Sequence, residues 1–406
     1  MKYFLPFASL CLFFSCAKLG LKDNQTKPII TPVPVITLTA TPTAIPTPLA
    51  TPTPMAKAEW QSLDEELLNS INPSLKKFFK EDFSDTKTLD ILIATNRKAK
   101  TKNFLCSDDQ FGVDIDQATQ FGLCRINVPK NHTVGKIDLA KNNRQSSHDF
   151  FKFLQSKPMS QTSFVDAIKK SGRTPLVFVH GFNVKFQEAV LRAAQIAYDL
   201  KYQGPVVLFT WPAGAGDGFF DDNLLNKTYE NNTKTAQGSV EPFKKLLVDF
   251  KNAGLKINLA VHSMGHQVVL PALKDLGSKP TEKPYIHELI LNAPDYQAQD
   301  FTEMTDIIQT ITERITLYCS FNDKAMIASK SVNKNDRLGA CTYSENVDSI
   351  NVSLIDDDTF ALGHGYYSSR AILNDVFQVL LGLEAEHRLF IKKSEPNSTE
   401  KYFLRP

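Results

Sequence analysis

Seven stretches of the chain are dominated by branched aliphatic residues: LDILIAT (89–95), TPLVFVHGF (174–182), GPVVLFTWP (204–212), LKINLAVHS (255–263), IHELILNAPD (286–295), RITLYCSFND (314–323) and SINVSLIDDD (349–358). Apolar positions that run on, rather than alternate, predict strands covered on both faces. Between them, FQEAVLRAAQIAYDLKY (186–202) and SVEPFKKLLVDFKNAG (239–254) repeat apolar residues every three or four positions, which predicts amphipathic helices. Strand and helix in alternation predict an α/β architecture: a mostly parallel central sheet, right-handed crossovers and helices on both faces. Residues 96–170 are less regular and leave room for edge strands and a helix. A further helix is expected near residues 60–80, and the polar stretch 393–406 reads as a flexible tail.

This periodicity is missing from the first 57 residues. Lys2 precedes a short apolar run, too short to span a bilayer as a helix, so residues 1–15 read as a cleaved export signal. The run ends in LFFSCAK, which resembles the lipobox of bacterial lipoproteins and implies acylation of Cys16; ordinary secretory cleavage is the alternative. Acyl chains on Cys16 would hold the protein to a membrane without a spanning helix. Residues 16–57 then form a linker whose irregular Thr-Pro tract, PIITPVPVITLTATPTAIPTPLATPTPM, permits neither helix nor sheet. As a polyproline-like stalk it would reach up to about 80 Å at ~3.1 Å per residue. Residues 58–392 remain as one large domain with enough chain for a well-buried core.

Composition narrows the partners. With 46 basic and 44 acidic side chains the formal net charge is +2. So balanced a surface offers no field to gather phosphate backbones, so no nucleic-acid partner is expected. Of the six cysteines, Cys106, Cys124, Cys319 and Cys341 lie beyond the signal and the anchor. In an exported chain they permit two disulfides, in three connectivities; the pairing Cys106–Cys124 and Cys319–Cys341 closes the shortest loops, with buried free thiols the alternative. No CxxC spacing suggests zinc.

Chemistry-bearing residues fall at the carboxyl ends of the predicted strands, where ligands bind in open α/β sheets. In NLAVHSMGHQVVL an apolar strand runs into Ser263 and then into helix-like residues, the pattern of a sharp corner that exposes a nucleophile, with Gly265 allowing close packing. A helix N-cap is the plainer reading of Ser263, and Val261 stands where such corners usually carry glycine. His180-Gly181-Phe182 follows an earlier strand, and Gly181 would let the backbone present the Phe182 N–H as one oxyanion donor, Met264 supplying the other. A serine hydroxyl needs a base. His364, between Gly363 and Gly365 in ALGHGYYSS, suits an exposed turning loop, and Asp323, at the end of RITLYCSFND, would orient its imidazole. Asp295 competes for that acid role, although ordering of neighbouring loops is its expected function. Asp356, Asp357 and Asp358 read as a solvated turn. His262 and His266 bracket Ser263 at a spacing that could bind a metal on a continuous helix. The corner intervenes and the HExxH glutamate is missing, so packing beside the corner is expected and no metal or other cofactor. Trp211 is expected in a pocket wall or in the core.

Taken in order, VFVHGFN, LFTWPAG, NLAVHSMG, LILNAPD, LYCSFNDKA and GHGYY resemble a group of bacterial α/β-hydrolases known from sequence, without a general assigned substrate, over roughly residues 88–382. The resemblance implies an α/β-hydrolase fold with an eight-stranded core and the triad Ser263, Asp323 and His364. It implies no substrate; relatives in the wider superfamily are esterases, lipases, amidases and thioesterases. About twenty residues separate Asp295 from Arg314, too few for a large cap domain, so an open cleft taking small or lipid-like acyl esters is expected. The alternative is an inactive surface binding module that keeps the fold.

Overall fold

The computed structural model describes residues 87–142, 144–214, 222–279, 283–342, 347–355 and 364–405. The export signal, Cys16, the Thr-Pro linker, the helix near 60–80, Gly363 and the Asp356–Asp358 turn lie outside these residues. Eleven strands form one sheet: β1 (Lys87–Ala99), β2 (Phe111–Val128), β3 (Lys152–Met159), β4 (Leu176–Val179), β5 (Val206–Thr210), β6 (Ile257–His262), β7 (Ile286–Asn292), β8 (Thr312–Cys319), β9 (Asp348–Asn351), β10 (Ile391–Lys393) and β11 (Tyr402–Leu404). Their order is β10-β11-β9-β8-β7-β6-β4-β5-β1-β2-β3. From β11 to β1 neighbouring strands are parallel, and β10 at one edge and β2 and β3 at the other run antiparallel to their neighbours. The parallel block holds eight of the eleven strands, so the central sheet is mostly parallel, as the hydrolase resemblance implies.

Helices cover both faces, and alternation along the strands decides which residue meets which layer. Val177 and Val179 of β4 and Leu259 and Val261 of β6 point into one core, shared with α1 (Gln161–Lys170), α3 (Asp222–Gly238), α4 (Val240–Asn252), α5 (His266–Gly277) and α6 (Ala298–Gln309). Leu176 and Phe178 of β4 and Ala260 of β6 point into the other, against α2 (Phe186–Asp199) and α8 (Arg370–Leu380). A short α7 (Lys324–Asn333) follows β8. Between β7 and β8 the chain makes only α6 and its turns, so no large cap is inserted there. No helix among the described residues is long and apolar enough to cross a membrane. Both disulfides form in the expected pairing, Cys106–Cys124 with Cα atoms 5.9 Å apart and Cys319–Cys341 with 4.9 Å.

Three expectations need correction. Within the run that begins at 349 the strand ends at Asn351, because the Asn351 side chain accepts the Ser353 N–H and folds the chain into a turn. Similarly, β8 ends at Cys319 rather than Asp323, as the Ser320 N–H turns away to the Gly339 carbonyl. Nor does the stretch from 393 fray. The Ser394 N–H bonds to the Lys401 carbonyl, and β11 pairs with β9, burying Tyr402 and Leu404 in the second core.

Candidate active site

At the end of β6 the chain passes from extended His262 to Ser263, whose φ of 52° is left-handed. That conformation costs a residue with a Cβ roughly 1–3 kcal/mol and survives only where its surroundings enforce it. Here the Ser263 carbonyl accepts the His266 Nδ1–H at 2.7 Å and the Asp295 N–H at 3.3 Å. The following turn lies so close to the end of β4 that a Cβ on Gly265 would stand 2.5 Å from the His180 carbonyl oxygen. Val261 fits the corner because it points the other way, into the first core between its strand neighbours Val179 and Leu291.

His364 packs onto this corner. Its Nδ1–H donates to Asp323 Oδ2 at 2.7 Å, and its carbonyl accepts the His262 Nε2–H at 3.3 Å. The His262 and His364 ring centroids are 4.8 Å apart. His364 Nε2 is buried and has no hydrogen-bond partner among the described residues. With the proton on Nδ1, that nitrogen carries the lone pair and can accept a proton. Asp323 is wholly buried. It is the N-cap of α7, with Oδ1 accepting the Met326 N–H at 3.1 Å and leaving Oδ2 for the imidazole.

Gly181 and Phe182 follow β4 beside the same corner. A Cβ on Gly181 would lie 2.7 Å from Ser263 Cβ, so only glycine lets this backbone reach the serine. Met264 stands in the first turn after the serine, where backbone N–H groups lack intrahelical partners. The carboxylate of Asp295, by contrast, is fully engaged elsewhere. It accepts from Arg337 Nε at 2.8 Å, Ser329 Oγ at 2.5 Å and the Tyr229 hydroxyl at 2.9 Å, while its backbone N–H braces Ser263. Asp295 thus ties neighbouring loops together, and the carboxylate that faces His364 is that of Asp323.

His262 and His266 do not converge: one bonds to the His364 carbonyl, the other to the Ser263 carbonyl. Among the described residues no group of three or more His, Cys, Asp or Glu side chains is placed to hold a metal ion. Trp211 takes the core position, the second of its two expected places. It is fully buried, stacks on the His180 ring with centroids 5.5 Å apart, and donates its indole N–H to the His180 carbonyl at 2.8 Å.

Several contributors escape sequence reasoning. Arg97, Thr210 and Asn232 are buried around the loop that holds Phe182, and Tyr229, Ser329 and Arg337 surround Asp295. Asn232 accepts the N–H groups of Asn183 and Gly214, tying the loop after β4 to the loop after β5. Only Arg97 left a trace in the sequence, a charged residue two positions after an apolar run.

Two of the buried histidines set an acid limit on stability. Burial pushes the His266 imidazole down to about 3; burial and then the Arg97 guanidinium push His180 down to about 3. Both are neutral in the folded protein, whereas the unfolded chain protonates them near the ordinary 6.5. Their contribution to stability is complete above about pH 6.5 and is lost as pH falls toward 3, at roughly 1.4 kcal/mol per pH unit for each histidine. Urea unfolding at a series of pH values is expected to show this decline between pH 6 and 4; a flat profile would contradict it.

Residues 156–383 match the model of a family described as alpha/beta hydrolase of unknown function (DUF900). No curated protein and no solved structure matches the chain.

Proposed function

The chain belongs to the DUF900 family of alpha/beta hydrolases, and on that premise we propose that it is a serine hydrolase of acyl esters, with amides or thioesters as further acyl substrates. Ser263 attacks the carbonyl while His364 Nε2 takes its proton. Asp323 holds the imidazole in the tautomer that leaves Nε2 open and stabilises it once charged. The backbone N–H groups of Phe182 and Met264 bind the oxyanion. His364 then returns the proton to the leaving group, and water releases the acyl-enzyme by the same path reversed. The observation that carries this reading is a buried imidazole Nε2 with no partner among the described residues, whose other nitrogen is bound to a helix-capping carboxylate, packed against the turn that holds a left-handed serine. With only α6 and its turns between β7 and β8, no cap is inserted there, which favours small or accessible acyl groups.

A fluorophosphonate probe tests the reading: covalent labelling of the wild type and none of Ser263→Ala is expected. An unlabelled wild type would return the fold to the role of a binding module. Two disulfides fit an oxidising compartment outside the cytoplasm, and we place the domain there, tethered through acylated Cys16 and the Thr-Pro stalk. Growth with an alkynyl fatty acid is expected to tag the wild type and not Cys16→Ser; equal tagging of both would refute the anchor.

A further inference from the structure

The register of β1 against β2 breaks between Thr95 and Arg97 and again between Arg97 and Ala99. An irregularity of this kind re-aims a side chain, and Arg97 is only 1% exposed. It forms no ion pair among the described residues; the acidic side chains acting on it from a distance are Asp108 and Glu188. Burying a cation in this way is expensive unless its donors are satisfied. Nη1 donates to the carbonyls of Ala213 at 2.9 Å and Gly112 at 3.1 Å, Nη2 donates to that of Val184 at 2.8 Å, and Nε donates to Thr210 Oγ1 at 2.9 Å.

That last bond sets a direction. Arg97 Nη2 also faces His180 Nε2, at 3.5 Å, and a guanidinium can only donate, so Nε2 is an acceptor and the Thr210 hydroxyl, whose Oγ1 already accepts from Arg97, gives it its proton at 2.9 Å. His180 then carries its own proton on Nδ1 and donates it to the Gly181 carbonyl at 3.1 Å. In a trans peptide the C=O and the following N–H point to opposite sides. Capture of the Gly181 carbonyl therefore turns the Phe182 N–H away from the His180 ring. Gly181 itself lies against Ser263.

We infer that Arg97, acting through Thr210 and His180, is a positioning residue that fixes the Gly181–Phe182 peptide and so aims the Phe182 N–H at the oxyanion before substrate arrives. The inference rests on the serine-hydrolase reading above. The line requires a neutral His180, because a protonated Nε2 could not accept the threonine proton. Burial and the neighbouring guanidinium keep the imidazole neutral. The Arg97 bond to Val184 anchors the far end of the same loop.

The experiment compares wild type, Thr210→Val, Arg97→Met and Arg97→Lys on 4-nitrophenyl acetate, with each rate divided by the active sites that a fluorophosphonate titrates. A trifluoromethyl ketone, which forms an oxyanion on serine without turnover, is measured in parallel. Thr210→Val, which removes only the hydroxyl, is expected to lower kcat about 10–100-fold, leave KM within about twofold, and weaken ketone binding by the same factor as kcat. Arg97→Met is expected to do at least as much, and Arg97→Lys to recover part of the loss. A merely structural role would lower the melting temperature and the titrated fraction but leave kcat per active site and ketone affinity in place. If Ser263 of the wild type is labelled while both per-site kcat and ketone affinity are unchanged in Thr210→Val, the inference is overturned and the triad stands. A wild type that the probe does not label overturns both.

Discussion

Ser263→Ala is expected to lower kcat for aryl ester hydrolysis by about 10⁵–10⁶-fold, the scale on which loss of a triad serine acts. No other hydroxyl takes its place in the corner, because the left-handed turn, the close approach of Gly181 and the two bonds to the Ser263 carbonyl present this one side chain. The same turn gives the variant a second readout. Alanine keeps a Cβ and so keeps the strain, whereas Ser263→Gly relieves it and should raise unfolding free energy by about 1 kcal/mol. Turnover in titrated ester assays and urea unfolding check the two parts separately. Retention of more than about 1% of wild-type turnover by Ser263→Ala would remove the serine from the chemistry.

The next largest effect is expected at Asp323, where Asp323→Asn should lower kcat about 10⁴-fold with little change in stability. Asparagine caps a helix as well as aspartate does, so its Oδ1 can keep the Met326 N–H. Its amide would face His364 Nδ1 with a donor in place of an acceptor. The imidazole proton would then move to Nε2, which could no longer accept from serine. At the competing acid, Asp295→Asn breaks an ion pair with buried Arg337 and is expected to act mainly on unfolding free energy. If Asp295→Asn abolished turnover in a folded protein while Asp323→Asn did not, the acid would be misassigned.

Much of this arrangement was legible in the residues themselves. Short unbroken runs such as LVFV and INLAV, set between helical patterns, read as doubly covered strands, and the short loop lengths made the pairing of Cys106 with Cys124 and Cys319 with Cys341 the natural one. Ser263, Asp323 and His364 stood out because each follows such a run. The supporting residues did not, since what gives them meaning is distance in space. Thr210 is an ordinary threonine at a strand end, and Asn232 is one polar residue in a polar helix. The final strand was missed for another reason. Only Tyr402, Phe403 and Leu404 interrupt a polar stretch, and three residues carry too little periodicity to stand out against it.

An open sheet is exposed to edge-on pairing between copies of the same chain. Both outer strands discourage it. β3 carries Lys152, Lys157 and Pro158, and β10 is three residues long with exposed Lys392 and Lys393. Charge, brevity and a missing donor are the features that keep natural sheet edges from joining. High local concentration should therefore not join these edges into a shared fibre.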